Sequence, residues 1–538
     1  MTIPVRQSIA VVTMLTFVLA AAVTGPPVAM ARGETATKVA GIDVDSTTIP
    51  ELQDLMNRKR LTSVQLTQFY LQRIKKLDPL LNAVIAVSPT ALADARAADV
   101  ARRQGDRRPL LGMPILLKDN INATGMDTTA GSWSLAGSAP ADAFIVERLK
   151  AAGAIILGKA NLSEWANFRS APSSSGWSGI GGQTNMPYVL DRNPCGSSSG
   201  SAVAAAANLA IAAVGTETDG SIVCPSGANG VVGIKPTVGL LSREGIVPIS
   251  ADQDTAGPIA RNVTDAAVLL GALTGVDPAD PATAGQVAHT DYTQFLDAGA
   301  LQGAVIGFWR EGSYEYDDVS VDAGVSAVMD QTVAALRAAG ATVTEVEVPI
   351  AEAYGPEFEA LLCEFKTDLP AYFETYTGVG YPKTLQDVID FNEANPGLEG
   401  PWNSALFEWA EATGGRDAAC AEIRADADAI AHAALTNALS GFDAIIAPTN
   451  GPSWLTNSNP DEGDMDGDFS NFVGSSTPSA ITGWANVTVP AGYADGHLPI
   501  GVSFIGRAWD EPNLIGLAYA FEQHTQVRVP PSFLRTLD

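Results

Sequence analysis

The chain is predicted to fold as an α/β protein in which helices cover a sheet. Three observations carry this. From Ala141 onward, short apolar runs alternate with helical patterns, the rhythm of strands joined through helices. The clearest unit is βαβ-like: a strand at Ala304 to Phe308, a helix at Val319 to Ala339, a strand at Ala341 to Val348. No internal repeat and no linker divides the 538 residues, so one large domain follows the N-terminal segment.

The elements are read in order. The pattern from Thr48 to Leu77 is helical, with a helix start at Thr62-Ser63 before Gln65. Asn82 to Val87 reads as a short buried strand and Ala91 to Arg103 as a helix. Leu110 to Leu117 is continuously apolar, so a buried strand runs directly into Lys118. A helix at Ala143 to Ala152 and a strand at Ala154 to Leu157 follow. A helix is expected at Asn161 to Asn167 and a long Ser/Gly-rich loop at Ser170 to Asn185. Ala202 to Ala213 is a small-residue, helix-like run. Val231 to Ile234 and Gly245 to Ile249 read as short strands or extended pieces, and Arg261 to Leu273 as a helix. Residues 351 to 440 are mostly helical, broken at Asn395 to Asn403. Strands are expected at Phe442 to Ala447, Asn486 to Val489 and Ile500 to Ile505, and a last helix at Pro512 to Gln523.

Composition narrows the function. The net charge of −28 argues against a nucleic-acid partner, which needs Lys and Arg against phosphate, and against an anionic membrane surface. The first 31 residues read as a secretory signal: Arg6, an apolar run from Ile9 to Val23, then Ala29-Met30-Ala31 before cleavage at Arg32. No membrane span is expected after cleavage. Cys195, Cys224, Cys363 and Cys420 show no metal spacing. They are either small buried apolar residues or, since export permits it, disulfides.

Residues 192 to 226 organise the chain. A Ser/Gly loop from Gly196 to Ser201 and a polar turn from Thr216 to Ser221 bracket the small-residue run. That run is too apolar for a flexible linker. Gly196-Ser197-Ser198-Ser199-Gly200 fits the G-x-S-x-G elbow, but Tyr188 to Pro194 is a poor strand to precede one. Gly153 to Lys159 looks like a phosphate loop, yet Ala160 stands where Ser or Thr is needed and the inner residues read as a strand. Asp464, Asp466 and Asp468 lack the glycine and glutamate positions of a calcium loop, so an acidic turn at Asp461 to Asp468 is expected. Lys118, after its apolar run, is either a desolvated base of lowered pKa, a surface lysine, or a partner of Asp119.

Together these motifs resemble the amidase signature family. The resemblance rests on Gly196-Ser197-Ser198, Thr218-Asp219-Gly220-Ser221-Ile222, Gly230 to Thr237, and Gly112-Met-Pro114 with Lys118-Asp119. It also rests on Gly158-Lys159-Ala-Asn161 with Glu164, on Asp254 to Pro258 with Asp265, and on Leu498 to Gly501, in the expected order from about Pro50 to Gln523. The family implies an amidase-signature α/β fold, a mixed central sheet flanked by helices on both faces, over 32–538. Its signature core would span about 110–275 and its variable helical region about 351–440. It implies a Ser-cisSer-Lys triad: Ser221 as nucleophile, Ser197 as bridging serine, Lys118 as base, with backbone N–H groups of Thr218, Asp219, Gly220 and Ser221 as oxyanion hole. Ser198 and Ser199 are then supporting hydrogen-bonders of the loop.

The family needs no metal or cofactor. The local forms PCGSSSGSA and GTETDGSIVCP are most similar to bacterial peptide amidases, and Cys195, Ser199 and Asp219 stand where many members have Gly. The expectation is a secreted serine amidase, monomer or homodimer, that releases ammonia from a small-molecule or peptide amide. C-terminal peptide amides are the preferred substrate. The alternatives are an amidase of other aryl or aliphatic amides, a glutamyl-tRNA amidotransferase A-type subunit, and an inactive binding protein on the same scaffold. Substrate-pocket residues are expected in Ser170 to Asn185 and in 351 to 476.

Overall fold

Eleven strands line up in one mixed sheet, and the two serine loops leave it near its middle. The computed structural model describes residues 37–170, 174–310, 312, 322–456 and 475–537. The expected leader, 1–31, and the acidic turn Asp461 to Asp468 lie outside the described residues.

In chain order the strands are β1 (Lys38–Val39), β2 (Ile42–Asp43), β3 (Val84–Val87), β4 (Pro114–Lys118), β5 (Ile155–Ala160), β6 (Trp177–Ser178), β7 (Gly182–Gln183) and β8 (Ala212–Glu217). Then come β9 (Val232–Lys235), β10 (Thr255–Ala260), β11 (Val305–Phe308), β12 (Thr342–Glu345), β13 (Ala444–Pro448), β14 (Asn486–Ala494) and β15 (Leu498–Ile505). The sheet order is β12-β11-β13-β15-β14-β9-β10-β8-β4-β5-β3, with β1–β2 and β6–β7 as separate hairpins. β4 runs parallel to both β5 and β8, and β11 parallel to both β12 and β13. The remaining pairings are antiparallel.

β4, β5, β8, β10, β13 and β15 are buried at every residue. Both faces of the sheet centre are therefore covered, which explains why these strands read as unbroken apolar runs rather than alternating ones. The helix Ser63–Leu81 starts where expected. Thr62 and Gln65 form a capping box, each side chain satisfying a backbone N–H of the first turn. Between β11 and β12 the helix Ala323–Ala338 completes the expected βαβ unit.

Four expectations are corrected. Val84–Val87 is the edge strand of the sheet and only half-buried. Ala202 to Ala213 is not one helix: Ser199–Ala206 is helical, and Ala212 and Ala213 already belong to β8. Alanine favours helix on its own, but here both faces of β8 are packed and tertiary burial decides. Glu164–Asn167 is a single 3-10 turn in which Trp165, Ala166 and Asn167 take positive φ. Gly245 to Ile249 holds no strand, only an isolated bridge from Ile246 to Ile121. The short hairpin strands β1, β2, β6 and β7 are not among the expected strands, nor are β8 and β10; in β10 Gly257 and Pro258 break the strand pattern.

Candidate active site

Lys118 is the last residue of β4, and Thr216 and Glu217 end its parallel neighbour β8. The site therefore sits at the carboxyl ends of two parallel strands, where α/β sheets gather their ligands. Lys118 is completely buried. Its Nζ lies 2.7 Å from Ser197 Oγ, 3.1 Å from Thr216 O and 2.9 Å from Thr216 Oγ1. Among the described residues no carboxylate touches it: Asp119 pairs instead with Lys159, 2.9 Å away. Desolvation pulls the Lys118 pKa down to about 7, against the weaker pull of Asp254 and Glu217.

The three neighbours of Lys118 fit the neutral amine. Protonated lysine has three donors and no acceptor. The neutral amine has two N–H groups and one lone pair. The Thr216 carbonyl can only accept, Thr216 Oγ1 can take the second N–H, and the lone pair remains for the Ser197 hydroxyl. Asn120 Nδ2 donates to the same Thr216 Oγ1 at 2.9 Å and fixes its position.

Ser197 is fully buried and follows a cis peptide bond at Gly196. Its carbonyl accepts from Ser163 N at 3.1 Å. Ser198 and Ser199 hold the loop. Ser198 Oγ donates to Thr216 O at 3.0 Å and accepts from Thr216 N at 3.2 Å. Ser199 Oγ donates to Cys195 O at 2.6 Å. Gly200 lets the helix approach β5: a Cβ there would stand 2.4 Å from Ala83 O and 2.5 Å from Asn161 O. A reactive elbow serine at Ser198 is thus excluded by its burial and its two bonds to β8.

The second loop is bound to the first, since Ser198 N donates to Ser221 O at 3.1 Å. Ser221 is the one member of the predicted triad that borders the cavity described below. Gly220 takes φ +76°, a left-handed conformation that glycine adopts without strain. Glu217 pins the turn from behind: its Oε2 accepts from Ile222 N at 2.6 Å and Val223 N at 2.9 Å. Among the described residues no acceptor bonds the N–H groups of Thr218, Asp219, Gly220 or Ser221. Backbone donors held in this way suit a developing oxyanion. Thr218 Oγ1 donates to Asp254 at 2.5 Å, and burial lifts Asp254 to about 6.

A disulfide between Cys195 and Cys224 joins the two loops, with Trp454 packed against it. A second, Cys363–Cys420, joins the helices Tyr354–Tyr376 and Ala418–Ala438. The cysteine choice left open by the sequence resolves to disulfides.

In front of Ser221 lies a cavity of about 350 Å³. Ser175, Tyr354, Glu357, Phe358, Leu361 and Trp454 line it, so both segments expected to shape the pocket do so. A neighbouring cavity of about 340 Å³ shares Ala166, Thr218 and Ile249 and reaches Asn120 and Thr216. The helical wall is anchored by aromatic contacts: Trp165 meets Phe373 and Phe407 edge-on at 6.2 and 5.7 Å, each contact worth about 1 kcal/mol. Buried Arg169 adds bonds to Glu164 and to the Glu399 and Trp402 carbonyls, all at 2.9 Å. Thr216 and Glu217, read as part of a polar turn, end β8 instead, and Asn120 and the wall residues were not singled out by motif. Only their place beside Lys118 and Ser221 marks them.

A family model described as Amidase matches residues 65–515. The native peptide amidase of Stenotrophomonas maltophilia is 48% identical, covers 91% of this chain and 99% of its own, and superposes with a TM-score of 0.84. Peptide amidase has also been solved with the competitive inhibitor chymostatin. A probable amidase of Arabidopsis thaliana is 40% identical, over 91% of this chain and 92% of its own. The A-type subunit of the glutamyl-tRNA(Gln) amidotransferase of Thermoanaerobacter pseudethanolicus is 32% identical, over 91% and 99%. With its mixed sheet flanked by helices, the family match over residues 65–515 and relatives of 40 and 48% identity across nearly the whole chain, this chain belongs to the amidase signature family, whose members hydrolyse amide C–N bonds.

Proposed function

We propose that the protein hydrolyses C-terminal amides of peptides to the free acid and ammonia, through an acyl-enzyme on Ser221. The observation that carries this is Lys118 Nζ at 2.7 Å from Ser197 Oγ, buried and without a carboxylate partner. An amide carbonyl needs an activated hydroxyl, since serine alone is a weak nucleophile. Neutral Lys118 takes the proton of Ser197, and Ser197 takes that of Ser221. Ser221 Oγ then bonds to the carbonyl carbon, and the N–H groups of Thr218 to Ser221 meet the oxyanion. When the tetrahedral species collapses, the C–N bond breaks and the relay returns its proton to nitrogen, which leaves as ammonia. Water repeats the sequence on the acyl-enzyme and yields the acid.

Peptide amides are preferred over other linear amides because the similarity to a peptide amidase spans nearly both chains. The similarity to an amidotransferase component supports a second reading. The charge of −28 weighs against an RNA substrate. We further propose that residues 1–31 are a cleaved leader and that the protein is exported. Two disulfides and no free cysteine suit an oxidising compartment. Ammonia release from a peptide amide by wild type and by Ser221→Ala tests the chemistry, and undiminished release by the variant overturns it. The N-terminal residue of exported protein, expected to be Arg32, tests the leader.

A further inference from the structure

Two carboxylates in the wall of the Ser221 cavity have no part in the hydrolysis above. Glu357, on the helix Tyr354–Tyr376, is 5% exposed and lines the cavity. Its Oε1 accepts from Gln253 Nε2 at 2.8 Å. Among the described residues its other oxygen receives no hydrogen bond. Gln253 is held in turn, its Nε2 3.3 Å from Thr218 O and its Oε1 accepting from Arg424. Arg424 is committed elsewhere: its guanidinium grips both oxygens of Glu364, at 2.8 and 2.7 Å. Asp219 borders the same cavity, its two oxygens accepting from Ser476 and Thr477 at 2.5 and 2.6 Å.

Burial raises the pKa of both carboxyls, and the Asp219 charge raises that of Glu357 further. The cations nearest in effect are Arg424 for Glu357 and Lys235 for Asp219. Neither lines the cavity, and Lys235 is spent on the Trp484 and Pro236 carbonyls. A buried carboxylate in the wall of a cavity is costly unless a cation meets it. Phe168, Phe358 and Trp454 also line the cavity, and aromatic rings can attract a cation over their faces.

We propose that Glu357, backed by Asp219, is a specificity subsite for a substituted ammonium group of the substrate. Short peptide amides carrying a free α-ammonium or a lysine side chain are then preferred over uncharged ones. The proposal rests on the amide-hydrolase reading and adds the charge of its substrate. The cavity volume is near the lower end for ligand pockets, about 300–1,000 Å³, which suits a dipeptide amide.

The test uses two matched pairs: a dipeptide amide with its N-acetyl form, and an N-acetylated lysyl dipeptide amide with its norleucyl analogue. Wild type should favour the cationic member of at least one pair by about tenfold in kcat/KM. The first pair reports the α-ammonium and the second the side chain. Glu357→Gln keeps an oxygen for Gln253 but loses the charge, and should bring the ratio to about one. Glu357→Asp should retain a preference. A ratio within one enzyme is independent of how much of it folds. If no amide is turned over, the hydrolase reading fails and the same pairs are compared by calorimetric binding to Ser221→Ala. No preference in wild type, or one that Glu357→Gln leaves intact, overturns the subsite.

Discussion

Lys118 and Lys159 stand on neighbouring parallel strands, one at the end of β4 and one next to the end of β5, and both are completely buried. Their registers differ by one residue, so they emerge on opposite faces of the sheet. Lys159 has an ion partner and two acceptors: Asp119 Oδ1 at 2.9 Å in a salt bridge, with Asp127 O at 2.9 Å and Thr128 Oγ1 at 3.0 Å accepting hydrogen bonds. Lys118 has a carbonyl and two hydroxyls, with no ion partner. Burial lowers both pKa values, but only Lys159 has a touching carboxylate to oppose the shift. The same residue type, equally deep, is ion-paired on one strand and, in the proposed mechanism, the base on the next. The placement of one carboxylate decides which.

The largest effect expected from breaking this contrast is Lys118→Met. Activity should fall by about 1,000-fold or more, as when a unit of linked catalytic groups loses a member. Ser221→Ala should be comparable, and the double variant no worse. Ammonia release measures all three. Lys159→Met should do the reverse: chemistry survives in the folded fraction, but stability drops by about 3–5 kcal/mol because Asp119 is left unpaired. Denaturant unfolding measures it, and adding Asp119→Asn should restore part of the loss.

Opening the Cys195–Cys224 disulfide acts on the serine loop that meets Lys118. Its loop of 29 residues implies about 3.6 kcal/mol of stability for the pair replaced by alanine. The Cys363–Cys420 pair should cost a similar amount. Only the first should also slow turnover of the fully folded enzyme, because only it ties together the two serine loops.

The last effect is graded with pH. A base with a pKa of about 7 should lose activity about tenfold per unit below that value and level off above it. Stability follows with a defined sign. The unfolded lysine keeps its proton to about pH 10.4, whereas folded Lys118 releases it near 7. Between those values the unfolded chain binds more protons, so stability rises with pH by up to about 1.4 kcal/mol per unit. Lys118→Met should remove that contribution from the slope measured between pH 7 and 9.

The contrast between the lysines was half legible in the sequence. Lys118 stood out because an eight-residue apolar run delivers it to the interior, and the motif order named the serines. What leaves it without an ion pair, the pairing of Asp119 with Lys159 some forty residues away, is a contact between strands and leaves no local pattern. β8 was hidden for a related reason: its first residues continue an alanine run whose local preference is helical. Glu357 and its neighbours lie on a helix whose register against Ser221 only packing fixes, so the sequence could name the segment but not the residue.

The helical wall has a consequence for protein engineering. Lys118, Ser197, Ser221 and the strands that hold them are all delivered by residue 260, whereas Tyr354, Glu357, Phe358 and Leu361 come much later. The stretch that carries those four leaves the sheet after β12 and returns at β13, and both strands flank β11. Its two ends are two strand spacings apart across the sheet and offset by two residues along it, since both strands run parallel to β11, so they lie roughly 12 Å apart. A segment with such closely set ends can be exchanged as a cassette between relatives, retuning substrate choice while the base and both serines stay untouched.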